Sequence, residues 1–167
     1  MLDLGPAQSG IIELLGRFRC RLDVADLAEQ IDALNAETDP GRLAETTRTQ
    51  LPSAGPDPAD LVLCWDLVNY LSRPAITVLM DCIAERARPG TQVHMFIVYS
   101  ASRMPIQPSR YVPLPDHRLS RRPQSSADRS APRYTPEDLA ACMSRYRAER
   151  GKLLQGGMQE FVFSALG

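Results

Sequence analysis

Nowhere in this chain do apolar residues run for the roughly 18 positions that a membrane-spanning helix needs. The first residues carry no basic stretch followed by an apolar run, so no secretory leader is expected. Histidine is scarce, at two residues, and the four cysteines (Cys20, Cys64, Cys82 and Cys142) stand far apart with no C-x-x-C pair. That spacing offers neither a zinc site nor a redox motif, and reduced thiols in a cytoplasmic protein are the expectation. A surplus of charge is absent too. The net charge of −1 gives no general pull toward nucleic acid or an anionic membrane. What remains is 167 residues, 44 % apolar and 23 % charged, enough for one domain with its own core. A single domain spanning residues 1–167 is therefore expected.

The pattern alternates between strands and helices. A short strand ends at Leu4, and apolar residues at 11, 12, 14, 15 and 18 predict a helix over 11–18. "CRLDVADL" (20–27) reads as a buried strand that runs into a loop, and Leu27, Ile31 and Leu34 have helical spacing. Residues 41–59 are weakly patterned; "RLAETTRTQL" fits a short helix or a loop with a poor strand. "DLVLCW" (60–65) is a near-continuous apolar strand, as in a strand covered on both faces. A helix follows, with Ser72 as its cap, Pro74 in the first turn and Gly90 after its end. "TQVHMFIVYS" (91–100) is a second strong strand. Between residues 100 and 136 come seven prolines, many serines and little periodicity, so a flexible Pro/Arg/Ser-rich loop is expected at about 100–135. Thr135 then caps a short helix with Pro136 in its first position. Two strands, "RYRAER" and "MQEFVFSAL", close the chain as an antiparallel pair. The fold class is α/β: a three-layer open sheet, mostly parallel, with an antiparallel C-terminal strand. Ligands of such sheets bind beyond the carboxyl ends of the strands.

The opening "LDLGPAQSGIIELL" lies at that edge. Gly5-x-Ala7-x-x-Gly10 is one substitution from the dinucleotide fingerprint G-x-G-x-x-G, with Asp26 at a suitable distance for a ribose. A second reading uses more residues. Asp3 ends the strand, Gly5 permits close backbone approach, and Ala7 and Ser9 are small. Asp26 offers two acceptors to a vicinal diol. An acid at Asp3 is a poor neighbour for a pyrophosphate and a good one for a cation, which favours S-adenosylmethionine over a nicotinamide dinucleotide.

D-L-G-P-A-x-S-G, the acid after the second strand, "DLVLCWDLVNYL" and "GGMQEFVF" resemble the class I S-adenosylmethionine-dependent methyltransferases along nearly the whole chain. The resemblance implies a Rossmann-like, seven-stranded sheet whose last strand is antiparallel and lies between the fifth and sixth. It implies that Asp3, Gly5 and Ala7 line the methionine part of S-adenosylmethionine and that Asp26 binds the ribose hydroxyls. Trp65, Asp66 and Asn69 would flank the cofactor and the substrate entrance. The chain departs from the family at its first strand, which has no lead-in, and at the third strand, which no segment supplies. Asp39, Glu45 and Gln50 fall in that region with no strand behind them. A shortened or degenerate relative is one expectation, and a homodimer would complete its truncated edge.

Methyl transfer from a sulfonium needs an in-line acceptor and a dry site more than it needs covalent help. Asp66 is the acid/base candidate by position; the competing role is a cap on the following helix. Tyr99, at the end of the fifth strand, is the other candidate on the substrate side. Trp65 either stacks on a ligand or packs the rim. His94 reads as a satisfied core histidine, His117 as a solvated loop residue, and Cys64 and Cys82 as small core groups. No acid/Asn-Pro-Pro-aromatic motif and no Pro-Cys pair occurs, which argues against methylation of nucleic-acid bases. The long loop holds seven arginines against two acids; it is either a lid that attracts an anionic acceptor or a solvated loop. Without interleaved aromatics it does not read as a nucleic-acid surface. A small-molecule acceptor is the leading expectation. The alternatives are a non-catalytic methyltransferase-like binding module and a nicotinamide-binding domain.

Overall fold

A computed structural model describes residues 1–53, 55–114 and 118–166. Asp116 and His117 lie outside the described residues. Strand Leu2–Asp3 (β1) leads to helix Ser9–Leu15 (α1) and strand Asp23–Val24 (β2). Helices Ile31–Ala36 (α2) and Pro40–Gln50 (α3) precede strand Ala59–Trp65 (β3). A 3-10 turn at Leu67–Tyr70, helix Arg73–Ala84 (α4) and strand Ala87–Val98 (β4) follow. Four short strands come next, Arg103–Pro105 (β5), Arg110–Pro113 (β6), Leu119–Arg122 (β7) and Asp128–Ser130 (β8). Helix Pro136–Cys142 (α5) and strands Tyr146–Leu153 (β9) and Met158–Ala165 (β10) end the chain.

The main sheet has the order β2-β1-β3-β4-β10-β9. β1 is parallel to β2 and β3, and β3 is parallel to β4. β10 runs antiparallel between β4 and β9, as the resemblance implies. The strand count differs, because among the described residues this sheet has six strands rather than seven. Where a third strand would stand, the chain forms α3 instead. Asp39 accepts the Arg42 N–H at 2.8 Å and Pro40 sits in the first turn, a strong helix start. The prolines at 52, 56 and 58 then deny a ladder its N–H donors.

Alternation along the strands divides the apolar residues between two clusters. Val62, Cys64, Val93, Met95, Ile97 and Phe161 face the main core, built with residues of α2 to α5. Leu63, Phe96 and Met158 face the other way and meet Ile11 and Leu15 of α1. The molecule is thus three-layered, with one thick helical layer and one thin one. Local signals agree with this packing. Ser72 caps α4, and Ala75, Ile76, Leu79, Met80 and Ile83 of that helix are buried at helical spacing. Thr135 and Asp138 form a complete capping box on α5. Gly90 does not end α4. That helix stops at Ala84, and Gly90 lies inside β4 with φ +88°. There the β3–β4 register shifts between Ala59 and Leu61, and Thr91 bridges to the Ala59 carbonyl at 2.6 Å.

Where the sequence pattern reads as loop, residues 103–130 form two small ribbons, β5 with β8 and β6 with β7. Three tyrosine hydroxyls donate to backbone carbonyls across the fold: Tyr70 to Gln107 at 2.8 Å, Tyr134 to Leu71 at 2.5 Å and Tyr146 to Met80 at 2.8 Å. Asn69 holds the edge between β3 and β4. Its amide donates to the carbonyls of Asp66 and Phe96, and its carbonyl accepts the Val98 N–H, each at 2.8 Å. Asn69 is 2 % exposed, so water does not replace these bonds. Asn69→Ala removes three buried hydrogen bonds and is expected to cost about 3 kcal/mol in urea denaturation. A loss below about 1 kcal/mol would show that the edge holds without it.

Candidate functional site

The strand order reverses between β1 and β3, since β2 lies outward on one side and β4 on the other. At such a switch point the loops after two neighbouring strands diverge and leave a crevice. The residues at this edge, where a ligand crevice is expected, are Asp3 at the end of β1 and Gly5 after it, Asp26 after β2, Trp65 at the end of β3 and Asp66 after it, and Tyr99 after β4. The parallel registers place Asp3 beside Val24 and beside Leu63, so the segments that follow share one edge.

Asp3 is 2 % exposed. Its Oδ1 accepts the Gly5 N–H at 2.9 Å and the Trp65 indole N–H at 2.6 Å. Burial pushes its carboxyl above the ordinary aspartate range against the pull of those two donors, and the charge of Asp26 adds to the rise. Asp26 is therefore close enough to be felt at Asp3. Asp26 itself is exposed, and its Oδ1 accepts the Ala28 N–H at 3.2 Å. Ala7 is exposed at the tip of the opening loop.

Trp65 is a non-glycine residue at φ +51°, a left-handed conformation that L side chains adopt rarely. The β3–β4 register slips between Leu63 and Trp65, and such a bulge re-aims the side chain that follows it. The indole turns onto the opening loop. A Cβ at Gly5 would lie 2.8 Å from the indole Cδ1, so the glycine is required here by close approach and not by its own φ. On its other side the indole stacks on Tyr111 of β6, with centroids 5.2 Å apart and planes 8° apart. Phe96 continues the stack at 4.9 Å from Tyr111.

Asp66 is 1 % exposed. Both carboxylate oxygens accept the Ser109 N–H, at 3.1 and 3.2 Å, and Arg121 of β7 approaches at 3.7 Å. Arg121 also donates to the Ser109 hydroxyl at 2.9 Å. Asp66 makes no side-chain cap to the 3-10 turn that follows. It instead clasps the 103–130 segment. The Tyr111 hydroxyl lies near this carboxylate and stabilises its charge, though it is buried without a partner in hydrogen-bond geometry. Burial still wins and pushes the Asp66 carboxyl up. Tyr99 stands half-exposed at the same edge, its N–H bonded to the Gly157 carbonyl at 2.8 Å. His94 is satisfied on one side only. Its Nε2 meets Glu160 at 2.8 Å, while Nδ1 is buried without a partner.

Asp3, Gly5 and Trp65 thus stand together with the charge of Asp26 near Asp3, Asp66 is bonded to the 103–130 segment, and Tyr99 follows β4 half-exposed. Sequence reasoning missed Tyr111, Ser109 and Arg121. All three sit in a Pro- and Arg-rich stretch without periodicity, which gave no signal. A cavity of about 770 Å³ opens elsewhere. Met1, Asp23, Ala59 and Ala87 line it, so it lies at the amino ends of the strands and away from the crevice.

Asp66 gives the site a pH dependence. Between the ordinary value of 3.8 and its raised folded value, the native chain keeps a proton that the unfolded chain has released. Stability from this group is present below that window and lost as pH rises through it. Urea midpoints of Asp66→Asn are expected to fall less steeply than those of the unaltered chain from acid toward neutral pH. Equal slopes would show that the fold does not resist ionisation of Asp66.

No family model and no curated protein matches the chain. Solved structures do match. One is an S-adenosylmethionine-dependent methyltransferase from Clostridium acetobutylicum ATCC 824, at 11 % identity and TM-score 0.57 over 99 % of this chain and 83 % of that one. The N-methyltransferase NodS from Bradyrhizobium japonicum WM9 matches at 15 % identity and TM-score 0.56, over 99 % and 85 %. The 1,6-didemethyltoxoflavin-N1-methyltransferase from Burkholderia thailandensis matches at 14 % identity and TM-score 0.52, over 99 % and 70 %. At these identities the likeness speaks for architecture, and the chain has the Rossmann-like fold of the class I S-adenosylmethionine-dependent methyltransferases.

Proposed function

We propose that the chain binds S-adenosylmethionine at the carboxyl edge of β1, β2 and β3 and transfers its methyl group to a small-molecule acceptor. The observation that carries this reading is the meeting of Asp3, the Gly5 loop and Asp26 at the switch point of a methyltransferase fold. At the ribose end the residues fit as they stand, because Asp26 is an exposed carboxylate able to accept from both hydroxyls of a diol. At the amino-acid end they fit once the indole leaves Gly5, because Asp3 then offers a buried negative charge and the glycine a bare backbone. Support also comes from NodS and the 1,6-didemethyltoxoflavin-N1-methyltransferase, each of which has been solved with S-adenosylhomocysteine.

When bound, the sulfonium supplies an electrophilic methyl group. The chain's own residues bind, orient and exclude water. Asp26 would fix the ribose and Asp3, Gly5 and Ala7 the amino-acid end. Tyr99 would line the acceptor side, where its half-exposed ring can meet a ligand. Asp66 would take a proton from an acceptor only after the Ser109 and Arg121 clasp opens. Positioning does most of the work in such a transfer.

A second reading is a methyltransferase-like binding module without catalysis. The specific observation in its favour is the Trp65 indole, which already satisfies Asp3 and covers Gly5.

Calorimetric titration with S-adenosylmethionine, S-adenosylhomocysteine and NADH tests the first reading. Both sulfur nucleosides should bind and NADH should not. Asp26→Ala should weaken both by tenfold or more, since a hydrogen bond to a charged group is worth roughly 1.5–3 kcal/mol. Unchanged affinity in Asp26→Ala would remove the ribose assignment. Binding to none of the three would favour the module.

A further inference from the structure

Trp65 is held in place by more than packing. Its backbone is left-handed, its strand is bulged, its N–H donates to a buried carboxylate at 2.6 Å, and its ring lies flat against Tyr111. A rarely adopted conformation persists only where the surroundings over-determine it, and such residues cluster at clamps and switches. The indole also stands on the two residues, Asp3 and Gly5, that the proposed cofactor would need at its amino-acid end. The ribose end, at Asp26, is left open.

We infer that Trp65 is a gate over the amino-acid end of the crevice: its indole substitutes for the ligand at Asp3 and Gly5, and a ligand with an amino-acid arm must displace it. This rests on the cofactor reading above. Displacement breaks the Nε1–Oδ1 bond and unstacks the ring from Tyr111, so the gate is coupled to the β6–β7 ribbon. Tyr111 in turn lies beside Asp66 and pairs in register with Arg121. Opening the gate therefore loosens the same ribbon that clasps Asp66. A nucleoside that lacks the arm needs no such opening.

The apparent affinity of a ligand is reduced by the fraction of molecules in the competent state. A gate that is closed most of the time thus taxes S-adenosylhomocysteine and spares 5′-methylthioadenosine, a thioether nucleoside without the amino-acid arm. Trp65→Ala removes the gate. Trp65→Phe keeps a ring and removes the N–H donor, so it weakens the closed state with less loss of packing. Trp65 is the single tryptophan of the chain, so its emission reports the gate directly in the unaltered protein.

Titrations of the full chain and both variants with the two nucleosides, followed by calorimetry and tryptophan emission, decide the matter. The gate predicts that S-adenosylhomocysteine binds about tenfold or more tightly to Trp65→Ala and by a smaller gain to Trp65→Phe. It predicts that 5′-methylthioadenosine changes by no more than about threefold, and that S-adenosylhomocysteine shifts the emission of the unaltered chain to the red as the ring leaves its buried stack. Binding by a variant alone also supports the gate. Equal affinities in all three proteins with no change in emission would overturn the gate and leave the cofactor reading standing. Weaker binding by the variants would make Trp65 part of the ligand's wall and also overturn the gate. An equal gain for both nucleosides would mean that the indole blocks the ribose end as well, and would overturn a gate confined to the amino-acid end. Failure of every protein to bind either nucleoside would remove the cofactor reading and the gate with it.

Discussion

A carboxylate buried at the end of β1 must be compensated, and the indole N–H of Trp65 is the side-chain donor that does it. Burying a charge without partners costs far more than a single hydrogen bond returns. The rest of the crevice follows from this demand. For the indole to reach Asp3, β3 must slip against β4 and Trp65 must take a left-handed backbone. For the ring to lie over the opening loop, residue 5 must lack a Cβ. For the exposed face of the ring to be covered, a further flat ring is needed, and Tyr111 supplies it at an 8° tilt.

The 103–130 segment inherits its order from the same edge. Two-stranded ribbons of three or four residues are not stable alone. Each is instead tied to the residues that follow β3. Tyr70 donates to the carbonyls of Pro105 and Gln107, Asp66 accepts from Ser109, and Arg129 lies over the Tyr70 ring. Tyr134 donates to Leu71 at the far end of the segment. The stretch 65–71 is therefore both the wall of the crevice and the mooring of the ribbons, so a change in one is felt in the other.

The sequence made the strands and capped helices of this fold legible where one local signal sufficed. β3 and β4 are apolar runs, Ser72 and Thr135 are true caps, and the terminal antiparallel pair is where pattern and resemblance put it. α3 was ambiguous because few of its residues are apolar; its identity is settled by the Asp39 cap and by tertiary contacts, including the twofold Arg48–Glu85 pair to the end of α4. Gly90 read as a helix end because glycine marks both caps and bulges, and only the partner strand decides between them. In the crevice, Asp3, Gly5 and Asp26 could be gathered from parallel-sheet logic alone. The hold of Trp65 on Asp3 could not, since nothing in "LCWDL" announces a positive φ. Nor could the burial of Asp66, which depends on a backbone N–H contributed 43 residues later.

The balance at Asp3 also says what kind of ligand could open the crevice. When the indole leaves, the carboxylate loses its side-chain donor and keeps the Gly5 N–H. A ligand that brings a phosphate there would place two negative charges together in a poorly solvated site and would be rejected. A ligand that brings an ammonium or a sulfonium exchanges a neutral hydrogen bond for a charge-assisted one, which is roughly twice as strong. The exchange is favourable only for a cation, and the nearby charge of Asp26 increases the preference. Shape alone would not separate a dinucleotide from a sulfonium nucleoside at a loop that resembles both fingerprints. Under the proposed cofactor reading, the buried acid on β1 would separate them by sign.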